Sequence, residues 1–411
     1  MFIAVLFGVG CSPPEVGKVA VPRRETGAID TGTTETGTTE TGGTDDALPV
    51  AESIILEATA GGEAMLSLSQ RYGFPVETQQ GWLFICESGG QPTVNGDFDN
   101  WAGTDMTCNQ GICSVTVKDA AGGYKFVERG TYSADPWSRA YTYDDNGEIS
   151  LVQPDMAHLQ RHFGVKSTTL DARTVRVWVP EGAVTHTLYA HDGQNLFDPN
   201  GISGGWRLQE ALPAQVMVVA IDNTVDRFEE YTHVADHISG QKYGGQGDEY
   251  ADLIQDEVRP LVRRHYGESD RLGQLGSSLG GLISLHVVQR YPGEYVFAAS
   301  MSGTLGWGSI EDHNETIIER YAAAGHANTA IYIDSGSDVS TCVDSDADGI
   351  DDDDFTSTDN YCTTLQMRDT LVNVGYQFDT DLWHWHEPGA EHNEAYWADR
   401  VWRPLEIFAG L

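Results

Sequence analysis

Two kinds of apolar pattern alternate along the chain downstream of Pro154. Short, nearly continuous apolar runs read as buried strands: "RTVRVWV" (173–179), "HTLYAH" (186–191), "VMVVAID" (216–222), "VFAASMS" (296–302), "AIYID" (330–334) and "YQFDTDL" (376–382). Between them lie stretches of helical period: "GDEYADLIQDEV" (247–258), "LGGLISLHVVQRY" (279–291), "IEDHNETIIERYAAAG" (310–325) and "EAYWADRVWRPLEIF" (394–408). Strands alternating with helices predict an α/β domain over 155–411, with a mostly parallel central sheet covered on both faces. Upstream, over 51–154, the apolar runs are short and broken by turns, as in "GWLFICES", "CSVTVKD", "YKFVERGTY" and "RAYTYDDNGEISLV". That spacing predicts a small all-β sandwich ahead of the α/β domain.

The first residues, "MFIAVLFGVGCS", form an apolar run that ends at Cys11. The pattern resembles a lipoprotein-type signal peptide over 1–11, with lipid on Cys11 after cleavage; an ordinary cleaved signal is the alternative, and both imply export. Residues 12–50 include "TGAIDTGTTETGTTETGGTD", whose Thr, Gly, Glu and Asp cannot bury enough apolar surface to order the chain, so they read as a disordered tether. The formal net charge is −38. A chain this acidic repels polynucleotides and anionic lipid, so no nucleic-acid partner is expected and membrane contact is expected only through Cys11.

The cysteine pattern fits an oxidising compartment. Cys342 and Cys362 bracket an acidic loop and read as a pair. Of Cys86, Cys108 and Cys113, the closure Cys108–Cys113 is the shorter, and which thiol stays free is left open. Within the bracketed loop, "CVDSDADGIDDDDF" places Asp344, Asp346 and Asp348 at alternate positions before Gly349, as a calcium loop begins. The Ile350 carbonyl and Asp352 would complete a structural calcium site, although Phe355 stands where a last carboxylate is expected. The bland alternative is a solvated acidic insertion.

Two stretches satisfy Gly-x-Ser-x-Gly: Gly201–Gly205, centred on Ser203, and Gly276–Gly280, centred on Ser278. With 46 glycines in the chain, the pattern alone is weak. Placement separates them. Ser278 lies between a strand-like piece, Leu272–Leu275, and an apolar helix ending at Tyr291-Pro292, which is the strand–turn–helix context of a nucleophile elbow. Ser203 follows no strand. A serine hydroxyl needs a histidine base oriented by a carboxylate, in chain order Ser, acid, His for this fold. Asp334 and Asp338 follow a late strand. His384 and His386 alternate within an aromatic run as strand residues would, whereas His392 follows a Pro-Gly loop and opens the last helix.

These pieces together resemble the esterase branch of the α/β-hydrolases that includes esterase D, enterochelin esterases and feruloyl esterases. The resemblance rests on "RTVRVWVPEG", "YAHDGQNLFD", "VAIDNTVDRFEEYT", "GDEYADLIQDEVRPLV", "LGSSLGGLISL" and "GAEHNEAYWADRVW", and covers roughly 156–411. It implies a serine carboxylesterase with nucleophile Ser278, base His392 and acid Asp338, and no catalytic cofactor. It also implies an oxyanion hole from the amides of Leu279 and of Gly193 or Gln194. Trp206, Trp307, Trp383 and Trp385 are candidates for the pocket wall, with core packing the alternative. In the first domain, "VNGDFDNW", "YKFVERGTY" and "DPWSRAYTYDDNG" resemble early-set, immunoglobulin-like modules related to glycogen-binding domains, which stack aromatics such as Trp101 and Trp137 on sugar. The expected substrate is therefore an acyl or feruloyl ester of carbohydrate. A siderophore trilactone is the rival, and a non-catalytic surface glycan-binding lipoprotein is the rival of another class.

Overall fold

The computed structural model describes residues 48–353 and 359–411. The expected signal peptide, Cys11, nearly all of the tether and Phe355 lie outside the described residues. Eight strands carry the α/β region: β1 (His158–Val165), β2 (Arg173–Val179), β3 (His186–His191), β4 (Val216–Ile221), β5 (Leu272–Ser277), β6 (Phe297–Met301), β7 (Ala330–Ser335) and β8 (Leu382–His386). Their spatial order is β1-β2-β4-β3-β5-β6-β7-β8. β1 and β2 run antiparallel to their neighbours, and every pairing from β4 through β8 is parallel.

Strand pleating sends successive residues to opposite faces, and both faces here are apolar. Tyr189, Val219, Ile331 and Ile333 join one buried cluster with Leu282 and Ile283 of the helix Leu279–Arg290. Leu188, Val218, Leu275 and Tyr332 join the other with Leu405 and Phe408 of the C-terminal helix. Burial on both sides is why these strands read as continuous apolar runs.

The last strand differs from the expected 376–382. Tyr376 is buried in the core, Asp379 turns the chain at φ +58°, and the strand runs over Leu382–His386. His384 and His386 are thus strand residues. The strand β1 and the helix Tyr361–Val374 were not read from the sequence, and the helix expected over 310–325 begins only at Ile317, capped by Thr316.

The upstream region departs from an all-β sandwich. Ala51–Ala58 and Gly62–Tyr72 are helices, whose Ile54, Met65 and Leu68 cover Leu83 and Ile85. The strand Gly81–Glu87 sends its alternate residues Phe84 and Cys86 the other way, against Val94, Tyr124 and Phe126 of a second sheet layer. That layer is continuous with the α/β sheet: Leu159 of β1 pairs with Tyr141, so one 14-stranded sheet runs through both regions. Disulfides join Cys108 to Cys113 and Cys342 to Cys362, leaving Cys86 as a buried free thiol among the described residues.

Candidate active site

Ser278 occupies the sharp turn between β5 and the helix Leu279–Arg290, at φ +56° and ψ −126°. A non-glycine residue there costs about 1–3 kcal/mol, and the surroundings hold it. The Ser278 amide donates to the Met301 carbonyl at 3.0 Å, and its carbonyl accepts from the Thr304 amide at 3.1 Å. The flanking glycines are a steric requirement. A Cβ on Gly276 would lie 2.4 Å from the Gly280 carbonyl carbon, and one on Gly281 would lie 2.5 Å from Ser300 Oγ. Ser278 Oγ is 3.4 Å from Thr304 Oγ1.

His392 sits on the loop entering the helix Glu394–Arg400. Its Nδ1 is 2.6 Å from Asp359 Oδ1, and its ring stands edge-on to Trp397 with centroids 4.9 Å apart. The other oxygen of Asp359 accepts from Ser302 Oγ at 2.7 Å and from the Gly336 amide. Ser302 directly follows Met301, so the segment 301–304 that holds the Ser278 turn also holds the aspartate–histidine pair.

The early loop after β3 brings amides toward the same strand ends. Gly193–Asn195 forms a 3-10 turn, and a Cβ on Gly193 would lie 2.8 Å from the Ala220 carbonyl carbon. The first amides of this turn, and that of Leu279 at the start of its helix, have no intrahelical acceptor. Asp192 anchors the loop. Arg227 reaches its two oxygens at 2.7 and 2.8 Å, and Asn223 Nδ2 donates to it at 2.5 Å. Burial opposes the charge, but the Arg227 guanidinium and the Asn223 amide hold the Asp192 carboxyl below the usual carboxylate range. Asp192 Oδ2 would be 3.2 Å from a Cβ on Gly280, which places this loop over the elbow.

The family model described as "Putative esterase" matches residues 167–403, more than half of the chain. The chain belongs to this esterase family. The uncharacterized protein YbbA of Bacillus subtilis (strain 168) is 27% identical over 135 residues, 32% of this chain and 53% of the relative. The chain thus spans about half the length of the curated relative it matches. Three solved structures are similar at low identity. The enterobactin esterase FES from Shigella flexneri is 14% identical, with 80% of this chain and 93% of that one covered and a TM-score of 0.45. The siderophore hydrolase EstA from Aspergillus nidulans is 17% identical, with 63% and 97% covered and a TM-score of 0.48. An IroE-like serine hydrolase from Shewanella oneidensis is 17% identical, with 61% and 80% covered and a TM-score of 0.47.

Asp338 is not the residue beside the histidine. It is exposed, while the backbone of its turn is occupied: the Ser337 amide donates to the Ala390 carbonyl and the Gly336 amide to Asp359. A Cβ on Gly336 would lie 2.5 Å from Asp359 Oδ2, so the carboxylate fills the space a side chain would need. The other acid weighed, Asp334, is fully buried and paired with Arg400. Asp359 lies beyond the acidic insertion, at the foot of the helix Tyr361–Val374. The signal that would have found it was the insertion itself: an acid expected soon after a strand is displaced past whatever is inserted there.

Ser203 lies exposed in a turn. Of the four tryptophans, Trp206 packs on Trp397 (6.0 Å), which in turn touches His392. Trp307 is a core residue, its Nε1 donating to the Val234 carbonyl at 2.7 Å. Trp383 packs into the cluster around Phe408, and Trp385 is exposed beneath the Arg403 guanidinium, 3.4 Å from the ring centroid. A cavity of about 650 Å³ lined by Val184, Met217, Tyr266 and Ser269 lies at the opposite ends of the parallel strands, away from Ser278.

In the acidic loop, Asp344 accepts from the amides of Asp348 and Gly349, and Asp352 accepts from the Ser345 amide. Ile350 is buried and donates its amide to Asp348. Asp346 and Asp348 instead converge with His313, from another segment, their ligand atoms all within 4.8 Å of one another. No helix of the described residues is long and apolar enough to cross a membrane.

Proposed function

We propose that the esterase works through an acyl-enzyme on Ser278, with His392 as general base and Asp359 fixing the imidazole. The observation that carries this reading is the 2.6 Å contact of His392 Nδ1 with Asp359 Oδ1, held by the segment that also holds the Ser278 turn. With its proton on Nδ1, the imidazole offers Nε2 to the serine hydroxyl. His392 takes the serine proton as Oγ attacks the ester carbonyl and returns it to the departing alcohol. Water then repeats the sequence on the acyl-enzyme. The amides of Leu279 and of Gly193 or Gln194 would hold the oxyanion.

For substrate we infer an uncharged acyl or feruloyl ester of carbohydrate. Two arginines near the site, Arg227 and Arg400, are already paired with Asp192 and Asp334, which disfavours a strongly anionic ester. In the upstream region Trp137 packs edge-on to Phe163 (5.6 Å), so it does not stand free for sugar. Trp101 beside exposed Tyr132 is the aromatic pair that remains available for stacking. Siderophore lactone cleavage is the rival. Hydrolysis of matched panels of acetyl-sugar, feruloyl-sugar and catecholate-lactone esters tests the choice, and preference for the lactone overturns it. Export, with Cys11 lipidated, belongs to the same reading and is tested by cell fractionation of wild type and Cys11→Ala. We further propose a structural calcium site in the acidic loop, with oxygen ligands from Asp344, Asp346, Asp348, the Ile350 carbonyl and Asp352.

A further inference from the structure

Behind Asp359 lies a buried cluster whose donors and acceptors can be assigned without ambiguity. Arg400, on the helix Glu394–Arg400, is 1% exposed. Its Nε and Nη2 donate to Asp334 at 3.2 and 3.1 Å, its Nη2 also donates to Ser302 Oγ at 2.6 Å, and Nη2 lies 3.6 Å from Asp359 Oδ2. Trp397 Nε1 donates to the same Ser302 oxygen at 3.2 Å. Guanidinium and indole nitrogens only donate. Both acceptor sites of the Ser302 hydroxyl are therefore filled, and its one proton must go to Asp359 Oδ2, 2.7 Å away. With the Gly336 amide also donating there, Oδ2 is a pure acceptor, and Oδ1 is left for His392 Nδ1.

We propose that Ser302 and Arg400 are positioning residues, which orient the Asp359 carboxylate and thereby lock His392 in the tautomer that leaves Nε2 as the base. The proposal rests on the serine–histidine–aspartate reading above. Arg400 acts through Ser302 and touches no reacting atom. Asp334 completes the cluster: burial pushes its carboxyl up, and Arg400 and the Tyr332 hydroxyl pull against that shift. Two carboxylates thus share one guanidinium, so a proton arriving on His392 during catalysis balances the remaining negative charge. The charged and titratable groups facing this pair are Arg400 and Glu394 from the helix after His392, Asp334 from β7, and His386 from β8.

The test uses full-length enzyme with active sites counted by a fluorophosphonate, so that kcat refers to folded sites only. Ser302→Ala removes a hydrogen bond to a charged group and should lower kcat by about 10- to 100-fold with KM within about twofold. Asp334→Asn removes one negative charge, leaving Arg400 less compensated beside His392, and should move the acid limb of kcat/KM to lower pH. A merely structural role would reduce the number of titratable sites and leave both readouts unchanged per site. Wild-type kcat per site and an unmoved acid limb in the two variants overturn the proposal. If neither variant folds, the wild-type enzyme still decides: a locked Nδ1 proton must give a low-field proton resonance on both sides of the histidine titration, and its absence overturns the assignment. Ser278→Ala runs alongside. Retained activity there sinks the serine reading itself, whereas a dead Ser278→Ala beside wild-type cluster variants sinks only this one.

Discussion

Asp135 in the upstream region and Asp192 above the elbow are both buried carboxylates, yet their titrations shift in opposite directions. Asp135 accepts from the Tyr124 hydroxyl at 2.7 Å and the Trp137 amide at 2.8 Å, and burial still pushes it up to about 6. Asp192 has the Arg227 fork, and its carboxyl falls below the ordinary range despite its burial. Neutral donors soften the desolvation of a charge; at Asp192 the Arg227 fork overcomes it, whereas at Asp334, beside the second carboxylate of Asp359, the Arg400 guanidinium does not. Around the candidate site, Asp359 has Arg400 nearby and His392 in contact.

The catalytic half of this contrast should break hardest. Ser278→Ala should lower kcat/KM by roughly a million-fold and abolish fluorophosphonate labelling, while Ser203→Ala keeps both. Stoichiometric labelling of Ser278→Ala would sink the elbow. Next comes the acid. Asp359→Asn should cost about ten-thousand-fold, because an amide permits the wrong tautomer, whereas Asp338→Asn should stay within about twofold. The reverse ranking would return the acid to the exposed turn.

Asp135→Asn probes the other half and should leave kcat unchanged. The folded-state value of Asp135 lies above its unfolded one, so the carboxyl contributes stability that is fully present below about pH 4. That contribution is lost as pH rises through about 6. The wild type should therefore lose up to roughly 3 kcal/mol relative to Asp135→Asn over that window, read from denaturant melts at stepped pH. Parallel curves would show that Asp135 is not buried as a neutral acid. The smallest effect is expected at the acidic loop. Chelation should lower the melting temperature by about 5 °C and reduce activity with it, and calcium should restore both. Asp348→Asn should make the protein indifferent to chelator. Identical melts with and without chelator would leave the acidic loop as a solvated insertion.

The periodic runs from Arg173 to Ile333 were legible because each residue pair along a strand faces an apolar layer on both sides. The upstream helices were not, since Gly61-Gly62 cuts their apolar period into two short pieces that mimic β runs. The last strand was placed too early because "LWHWH" carries histidines at alternate positions, which lowers its apolar signal although β7 pairs with it residue for residue.

The sequence alone marked Ser278 and His392 as the proposed nucleophile and base. An elbow needs glycine at fixed offsets around the serine, and a base must follow the last strand, so both leave marks in linear spacing. It could not determine Asp359, because a carboxylate within reach of an imidazole is a distance in space. The disulfide-closed insertion between β7 and the helix Tyr361–Val374 breaks the link between that distance and chain position. Nor could it show that one hydroxyl, Ser302, joins Arg400 and Trp397 to the acid. Four side chains from distant positions meet there only once β6, β7 and the last helices have packed.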